Sequence, residues 1–387
     1  MSDVEAVERP LRILYVAGRE ESYSRCRIVA RALERRGHTV TLCMPPDRAF
    51  RHYPALVLRA ARLARDVDVI LVGFYGQLIL PLIWLLSRKP IVFDMYITTY
   101  DTMVFDRAKA TPGSLRAWVY GLSDRLSYWC ATLSTLDNQH VIDHFGRLFN
   151  VDTARLRRLF LSVDDSVIQP RQSTDRPGST ETAAAVVAEQ GADPVDRPFL
   201  VHFHGEYTPF HGVRHILRAA HLLRDEPIRF QLIGQGITYA EDRQLAESLQ
   251  LDNVRFLDRV SYDELADCMA RADVCLGVFG ENDRGKLVIT NKVVEAIGMA
   301  KPLITLRNAP VQELLSDQQS VYLVEPADPD GLAAAIRHLA ADAPLRQRIA
   351  EQGYQRFLEQ CSTERLGEGL EALLHEALAI KSGRQRA

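Results

Sequence analysis

The sequence lacks the features that would assign it to several common classes of protein. Its six cysteines form no CxxC pair and several lie in apolar runs, where thiols behave as small hydrophobic side chains, so a reducing, cytoplasmic setting fits best. No run reaches the roughly 18 to 20 apolar residues that a membrane span needs; the best candidate, 78–86, is followed by Arg88 and Lys89. The first residues are acidic, without a basic region followed by an apolar core, so no secretory signal is predicted.

A strong excess of one charge is also lacking. Lys and Arg together number 47 and Asp and Glu 50, a formal net charge of −3, so we expect no nucleic-acid partner. The first strand-to-helix turn has a single glycine, Gly18, and no GxGxxG, which argues against a nicotinamide dehydrogenase. Gly18 either lets the amides of the following helix face an anion or serves the turn alone.

What is present is a long alternation of short β-branched runs and segments of helical period. At about 150 residues per domain, the 387 residues predict two domains. The alternation is typical of parallel strands joined by helices, so the predicted fold class is α/β with two Rossmann-like domains. In the first half, strands are predicted at 11–17, 38–44, 67–73, 90–95, 131–135 and 157–163. In the second half, they are predicted at 199–205, 228–234, 254–257, 273–279, 302–306 and 320–324.

Changes of composition set the predicted domain limits. Residues 1–168 form the first Rossmann-like domain, and 169–197 form a linker rich in Pro, Ser, Thr and Gly. Residues 198–343 form the second Rossmann-like domain, and 344–387 form helices that pack back toward the first. Because doubly wound sheets bind ligands at the carboxyl ends of their strands, we expect the site in a cleft between the two domains.

The strongest candidate for an anion site is the segment 279–305, which joins a strand to a helix through a polar loop. The backbone amides of 288–291 would point out of the helix N-terminus, and Lys286 and Lys292 add positive charge there. Glu295, one turn into the helix, is placed to accept hydrogen bonds from a ribose diol. The alternative is a surface Glu295 paired with Lys292.

Glycines and histidines precede this segment. Gly234 and Gly236 allow either the close approach of a flat ligand such as a nucleoside base or a tight turn. Four histidines leave a zinc site open, with core or helix-face roles as the alternative; they are His202, His204, His211 and His215. No HExxH spacing is present, and we expect no metal.

Five segments resemble the motifs of one family. They are ERRGHTV (34–40), GEYTPFHG (205–212), LIGQG (232–236), NVRFLDRVSYDEL (253–265) and NKVVEAIGMAKPLIT (291–305). Together they resemble the retaining GT-B glycosyltransferases of the group 1, or family 4, type, which use nucleotide sugars. The resemblance covers nearly the whole chain. It implies two Rossmann-like domains facing a cleft, with the C-terminal helices crossing back to the first domain.

The resemblance also implies a set of nucleotide-sugar-binding residues, to which Gly18 is added from the first domain. They are Gly205, Glu206, His211, Gly234, Gly236, Arg259, Val260, Lys286, Ile289, Thr290, Asn291, Lys292 and Glu295. The chain departs from the family where an Arg and a Lys usually clamp the diphosphate, since Glu206 and His211 stand there. Leu287 replaces the first of two paired glutamates. We therefore expect residues 290–292 to supply phosphate and sugar contacts.

In the first domain, the segment 93–107 leaves a strand toward the predicted cleft. It carries Asp94 and Asp101, which together with Lys292 are the candidate catalytic residues. Capping of the next helix is the alternative role of the two aspartates. The resemblance implies transfer with retention and without metal or cofactor, in which helix N-termini and cations stabilise the departing diphosphate.

The predicted function is transfer of a hexosyl unit from a nucleotide-diphosphate sugar to a glycan, lipid-linked or small-molecule acceptor. A sugar-nucleotide epimerase of the same fold and a nucleotide-binding protein with lost catalysis are the alternatives. Residues 48–65 carry five arginines and no acid, interleaved with Leu56, Val57 and Leu63. They favour contact with the inner face of an anionic membrane and a polyprenyl-linked acceptor, or else form an ordinary surface helix.

Overall fold

The computed structural model describes residues 9–106, 109–171 and 197–386. Most of the predicted linker, 169–197, lies outside these residues. The described chain forms two compact units, the first running up to Phe160 and resuming at Thr363, the second comprising Leu161–Ser362. The division at Phe160 falls before the predicted domain limit at 168, and the last helix belongs to the first unit.

Each unit contains one six-stranded sheet of parallel strands. The first unit has β1 (Arg12–Val16), β2 (Thr39–Cys43), β3 (Val69–Val72), β4 (Ile91–Tyr96), β5 (Leu133–Leu136) and β6 (Leu156–Arg158), in the spatial order β2-β1-β3-β4-β5-β6. The second has β7 (Phe199–His204), β8 (Ile228–Ile233), β9 (Val254–Leu257), β10 (Val274–Leu276), β11 (Leu303–Leu306) and β12 (Tyr322–Val324), in the order β12-β11-β10-β7-β8-β9. Both orders reverse direction beside the first strand of the unit, where such sheets bind ligands.

Helices connect the strands. The first unit has α1 (Ser24–Arg35), α2 (Tyr53–Leu63), α3 (Leu80–Leu86), the single turn α4 (Thr99–Asp101), α5 (Leu115–Cys130) and α6 (Gln139–Phe149). The second has α7 (Val213–Leu222), α8 (Tyr239–Ser248), α9 (Tyr262–Arg271), α10 (Asn291–Gly298), α11 (Ala309–Leu314), α12 (Pro329–Ala341) and α13 (Ala343–Gln360), and α14 (Thr363–Arg386) ends the chain. None of the helices in the described part of the chain combines the length and the apolar character that crossing a bilayer requires.

The residues of the inner strands β3, β5, β10 and β11 are buried on both faces, as β-branched runs in a parallel sheet require. In the first unit, Leu33 of α1 shares a buried cluster with Leu366 and Leu370 of α14. A Cβ at Gly367 would lie 2.9 Å from the carbonyl oxygen of Ala32, so the two helices approach closely. The expected return of the C-terminal helices is confirmed for α14, while α13 packs against α10 in the second unit.

In the second unit, one buried cluster joins the sheet to its helices. Phe203, Phe230 and Ile304 from three strands belong to it, together with Ile216 of α7 and Ile336 of α12. These contacts fix the strand ends from which the loops of the candidate site start.

Several predicted strands are longer than the observed ones, and two differ more than the others. The strand predicted at 157–163 is Leu156–Arg158; Leu159 still donates to the carbonyl of Leu136, and the chain then leaves the sheet. The strand predicted at 273–279 ends at Leu276, and the amide of Phe279 donates instead to the carbonyl of His211 at 3.0 Å. Apolar runs that continue beyond a sheet edge are still buried, so composition alone overestimates strand length.

Candidate functional site

The start of α10 holds a buried lysine. Thr290 occupies the N-cap position in an extended conformation. Lys292 follows in the first turn, is 6% exposed, and has its Nζ 5.5 Å from the centre of the Phe203 ring at the end of β7. A helix N-terminus carries partial positive charge, so a buried ammonium there concentrates positive charge in one place.

The charge of Lys292 faces an uncharged partner. Its Nζ donates to Nε2 of His211 at 3.0 Å, and Nδ1 of His211 donates to the carbonyl oxygen of Glu206. Burial, with the nearby charge of Lys292, holds the pKa of His211 well below its ordinary value. Burial also lowers the pKa of Lys292 to about 8, although Glu295 and Glu206 act to raise it. Lys292 is therefore mostly charged at neutral pH beside a neutral imidazole.

Two glycines make room for this arrangement. Gly205 follows β7 with φ of +143°, and a Cβ there would lie 2.6 Å from both Cε and Nζ of Lys292. Gly212 has φ of +67°, and a Cβ there would lie 2.5 Å from the amide nitrogen of Gly280. The loop that carries His211 therefore closes on the end of β10 and on the lysine only with glycine at these positions.

Glu295 lies one turn further along α10. Its Oε2 accepts a hydrogen bond from Nε2 of His204 at 2.8 Å, and its Oε1 accepts one from the hydroxyl of Tyr262 at 3.1 Å. Burial alone would raise the carboxyl pKa, but the hydrogen bonds from His204 and Tyr262 and the charge of Lys292 outweigh it, so the pKa lies below its ordinary value. The alternative of a surface glutamate is wrong, because Glu295 is 6% exposed. The carboxylate is held in place and keeps lone pairs for a ligand.

A chain of hydrogen bonds from the sheet orients His204. Nε2 of Gln231 donates to the carbonyl of Cys268 at 3.1 Å and to Nδ1 of His202 at 2.9 Å. Nε2 of His202 therefore donates to Nδ1 of His204 at 3.0 Å, and His204 presents its Nε2–H to Glu295. These two histidines form a relay toward the carboxylate. Among the described residues, no group of three His, Cys, Asp or Glu side chains is arranged to hold a metal ion.

Gly234 and Gly236 allow two loops to meet. Gly234 has φ of +126°, and a Cβ there would lie 2.1 Å from the carbonyl oxygen of Gly205. A Cβ at Gly236 would lie 2.4 Å from the amide nitrogen of Tyr207. The amide of Tyr207 donates to the carbonyl of Gln235 at 3.2 Å. Contact between the loops after β7 and β8 already accounts for both glycines, which favours the turn interpretation over a ligand approach.

The loop before α10 is anchored by a residue that sequence reasoning missed. Asn308, the N-cap of α11, donates to the carbonyls of Gly285 at 2.7 Å and Val288 at 3.0 Å. Ile289 is 3% exposed and packs into the unit. The backbone that leads into the helix is therefore fixed.

The polar side chains predicted around the helix start separate into two groups. Oγ1 of Thr290 is buried and has no hydrogen-bond partner among the described residues. Asn291 is exposed at the first position of α10. Lys286 points elsewhere, since it is 61% exposed and donates to Asp283 at 2.9 Å. Residues 290–292 thus come together, whereas Lys286 forms a surface ion pair.

Three predicted residues lie toward the edge of this region. Nη2 of Arg259 is 3.7 Å from Oε1 of Glu206, and both side chains are exposed. Val260 packs on the buried cluster of Ile233 and Leu257. Arg259 is thus available to a ligand, while the side chain of Val260 stabilises the unit.

In the first unit, Asp94 forms a closed ion pair. Nε and Nη2 of Arg25 donate to its two carboxylate oxygens, each at 3.0 Å, and the hydroxyl of Thr135 adds a third hydrogen bond of 3.0 Å. Asp94 is 1% exposed. Since Arg25 engages both oxygens, the geometry favours a structural role over proton transfer.

Asp101 is connected to a histidine that the sequence did not reveal. Thr98 caps the turn α4, and its hydroxyl donates to Oδ2 of Asp101 at 2.6 Å. Oδ1 of Asp101 lies 3.3 Å from Nε2 of His144 on α6. Close by, burial raises the pKa of Asp124 to about 7, although the amides of Tyr100 and Thr99 donate to it. Asp101 thus lies in the first turn of α4, and Thr98 is the cap.

Gly18 packs against its own unit. A Cβ there would lie 2.2 Å from the carbonyl oxygen of Tyr75, and its amide donates to the carbonyl of Phe74 at 3.1 Å. This close contact with Tyr75 requires a glycine at position 18 even without a ligand. The turn alone therefore explains Gly18.

The basic segment 48–65 contains α2. Its side chains Leu56 and Val57 are 4% and 5% exposed, because α2 packs on β1, β2 and α3. Its five arginines are exposed. The segment is an ordinary surface helix, because Leu56 and Val57, two of the apolar residues expected to face lipid, belong to the core.

Comparison with known proteins gives similarities to glycosyltransferases. A family model described as Glycosyl transferases group 1 matches residues 198–342, which include the start of α10 and its neighbours. An uncharacterised glycosyltransferase of Methanocaldococcus jannaschii is 26% identical over 174 residues, 45% of this chain and 47% of that protein. An MMP alpha-(1->4)-mannosyltransferase of Mycolicibacterium hassiacum is 26% identical over 235 residues, 60% of this chain and 51% of that protein. The matches span about half the length of these relatives.

A solved structure extends the likeness to nearly the whole chain. The crystal structure of Anabaena HepE in complex with UDP and glucose matches with a TM-score of 0.69 at 16% identity, covering 94% of this chain and 99% of that one. The protein therefore has the two-unit α/β fold of the GT-B glycosyltransferases. The match to the Glycosyl transferases group 1 model lies within its second unit, at residues 198–342.

Proposed function

We propose that the protein transfers a hexosyl unit from a nucleotide-diphosphate sugar to an acceptor hydroxyl, with retention and without a metal or cofactor. The observation that carries the proposal is the buried, charged Lys292 at the start of α10, one turn before the buried carboxylate of Glu295. Positions three apart on a helix are neighbours, about 5–6 Å apart at Cβ. A nucleoside diphosphate likewise carries its phosphates next to a ribose diol. The phosphates complement the ammonium of Lys292, and the ribose hydroxyls complement the carboxylate of Glu295.

The group 1 domain match and the UDP complex of Anabaena HepE support a nucleotide donor for this chain. The usual Arg and Lys clamp is absent, and Glu206 and His211 stand in its place. Lys292 reaches from α10 to His211 and Gly205, the loop in which the family places that clamp. We propose that Lys292 takes over the contact with the diphosphate, and that the buried hydroxyl of Thr290 also faces it.

In the proposed reaction, the bond between the anomeric carbon and the phosphate oxygen breaks, and a bond to the acceptor oxygen forms on the same face of the sugar. The acceptor proton passes to the departing phosphate, so no protein nucleophile enters the balance. The diphosphate gains negative charge as it leaves, and Lys292 and the amides of α10 stabilise it. Donors placed in this way contribute about 3 kcal/mol each to lowering a barrier.

For the acceptor we propose a glycan, including one linked to a polyprenyl carrier at a membrane face. The exposed arginines of 48–65 support this choice, because they would attract the phosphates of such a carrier.

A thermal-shift panel of nucleotides and nucleotide sugars tests the proposal. A ligand bound by the native state alone raises Tm in proportion to saturation, so one nucleotide diphosphate and its sugar should stand out. Mass spectrometry of products with that donor should show a new glycosidic bond on a saccharide acceptor. Free epimerised sugar, or nucleotide binding without turnover on any acceptor, would overturn the assignment.

A further inference from the structure

The first unit exposes all of its tryptophans. Trp84 on α3 and Trp118 and Trp129 on α5 are 49%, 61% and 57% exposed, and the chain has three tryptophans in total. Tryptophan side chains are highly buried on average in globular proteins. Three exposed ones on two adjacent helices therefore call for a specific partner.

Helix α5 is amphipathic, but its small and polar side faces the core and its apolar side is exposed. Its buried side is small or polar and comprises Ala117, Gly121, Asp124, Ser127 and Tyr128. Its exposed apolar side chains recur at helical spacing and are Leu115, Trp118, Val119, Leu126 and Trp129. A surface helix of a globular protein normally turns its apolar stripe to the core. The stripe of α5 is turned outward instead.

Helix α3 extends the same face. It packs against α5, and it buries Leu80 and Ile83. Its remaining apolar side chains are exposed, namely Leu82, Trp84, Leu85 and Leu86. We call the exposed residues of α3 and α5 the tryptophan face.

Positive charge borders the tryptophan face. A pocket of about 70 Å³ lies between Trp84 and Trp129 and is also lined by Lys89, Arg155 and Lys381. Of the described residues that line this pocket, none is acidic. A volume of this size surrounded by three cations suits a phosphate group.

We propose that the tryptophan face docks on an anionic lipid bilayer, with the three indoles at the level of the headgroups and a lipid phosphate in the pocket beside them. Indole rings favour this boundary because one side is apolar and the N–H is polar. Apolar surface together with basic residues is the combination that holds a protein on anionic lipid. A second copy of the chain is a poorer occupant, because it would bring the same cations together.

Vesicle flotation with intrinsic fluorescence tests the proposal directly. Since every tryptophan of the chain lies on this face, the emission reports the face alone. With vesicles of phosphatidylcholine and phosphatidylglycerol, the protein should float, its emission should shift to shorter wavelength, and brominated acyl chains should quench it. With phosphatidylcholine alone, binding should be at least about tenfold weaker.

Matched variants assign the binding to this face. Trp84→Ser with Trp129→Ser should weaken partitioning by about tenfold or more, with Trp118 kept as the reporter. Lys89→Glu with Lys381→Glu should remove the preference for anionic lipid. Leu222→Ser with Ile237→Ser changes two exposed apolar residues of the second unit and should leave partitioning unchanged. Circular dichroism verifies that each variant is folded.

Three outcomes would overturn the proposal. The wild-type protein could stay unbound with both vesicle types, or the double tryptophan variant could float as well as wild type. Alternatively, ultracentrifugation without lipid could show a dimer that this variant dissociates. None of these readouts involves a donor nucleotide, so they are independent of the proposed transfer activity.

Discussion

Each unit buries a cation and a carboxylate, and the two pairs are arranged differently. In the first unit, Nε and Nη2 of Arg25 each donate to one carboxylate oxygen of Asp94 at 3.0 Å. In the second, Lys292 and Glu295 lie one turn apart on α10, and each hydrogen-bonds to other side chains instead. A closed pair stabilises the fold, whereas an open pair keeps its positive and negative groups available to a ligand that carries the opposite ones.

The surfaces of the two units differ in a parallel way. All but three of the large apolar side chains exposed in the described chain lie in the first unit, and the three in the second are Leu222, Ile237 and Leu358. The first unit thus contains the buried ion pair of Arg25 and Asp94 and many exposed apolar side chains. The second contains Lys292 and Glu295, which do not pair directly, and few exposed apolar side chains. We therefore expect equivalent substitutions to have different consequences in the two units.

The largest effect on stability is expected in the first unit. Arg25→Met leaves the 1% exposed Asp94 charged and without its main partner, which costs about 3–5 kcal/mol. Arg12→Met is the control, because Arg12 pairs with Asp68 at 3.2 Å while its side chain is 60% exposed, and it should cost under about 1 kcal/mol. Urea unfolding measures both. Equal losses in the two variants would contradict the closed-pair interpretation.

The corresponding change in the second unit should affect binding rather than folding. Lys292→Met removes a buried charge that hydrogen-bonds to the neutral His211 and forms no ion pair among the described residues, so we expect stability to change by less than about 1 kcal/mol. Donor affinity should fall by about a hundredfold, or 2.7 kcal/mol, in calorimetry. Lys301→Met is the control, since Lys301 donates to the carbonyl of Ala272 at 2.9 Å in the same unit. A Lys292→Met variant that unfolds, or that binds the donor with normal affinity, would contradict the expectation that Lys292 acts on binding and Arg25 on stability.

The glycine beside Lys292 gives a third test. Gly205→Ala places a Cβ 2.6 Å from Nζ of Lys292 at φ of +143°, and it should weaken donor binding by about tenfold and cost about 2 kcal/mol of stability. Gly113 also has a positive φ, +80°, but nothing lies within 4 Å of a Cβ there. Gly113→Ala therefore reports the backbone strain alone, and it should leave calorimetric affinity unchanged. Similar donor affinity in both variants would mean that the ammonium of Lys292 can move without weakening donor binding.

The open pair should also respond to pH. Because the pKa of Lys292 is lowered to about 8, its charged fraction falls as pH rises through that value, and donor affinity should fall by about fivefold from pH 8 to 9. The stability of the empty protein should change in the opposite direction, since the unfolded lysine binds its proton up to about pH 10.4. Calorimetry with a nucleotide sugar, whose phosphates do not titrate in this range, measures the first effect. An affinity independent of pH would contradict the role of Lys292.

The smallest effect concerns the orientation of the carboxylate. Tyr262→Phe removes one hydrogen bond of 3.1 Å to Glu295, and it should weaken donor binding by about 1 kcal/mol. Tyr322→Phe is the matched control, because that hydroxyl lies 3.3 Å from His338 on α12. A larger loss of donor affinity in Tyr262→Phe than in Tyr322→Phe would show that the hydrogen bonds to Glu295 affect ligand binding. Equal losses of affinity would contradict this role of Tyr262.

The fold could be predicted from the sequence because parallel strands and crossover helices leave periodic signals along the chain. The same holds for Lys292 and Glu295, whose spacing on one helix after a strand is a local feature. The partners of Glu295 could not be predicted, since His204 and Tyr262 come from β7 and α9, far along the chain. His144 was missed for the same reason, as it meets Asp101 from a separate helix.

The tryptophan face shows another limit of sequence reasoning. Residues 78–86 are apolar all round, so periodicity cannot indicate which side of α3 is exposed. The basic segment 48–65 gave a clear amphipathic pattern, yet Leu56 and Val57 pack into the core. Its pattern arises from contact with the sheet, whereas the exposed apolar side lies on α3 and α5.

A crystal structure of the protein with a bound nucleoside diphosphate tests whether Lys292 and Glu295 hold the ligand. We expect phosphate oxygens within hydrogen-bond distance of Nζ of Lys292 and of the amides at the start of α10, with the ribose hydroxyls on Glu295. A nucleotide bound elsewhere, with Lys292 still donating to His211 and Glu295 facing no ligand, would contradict it.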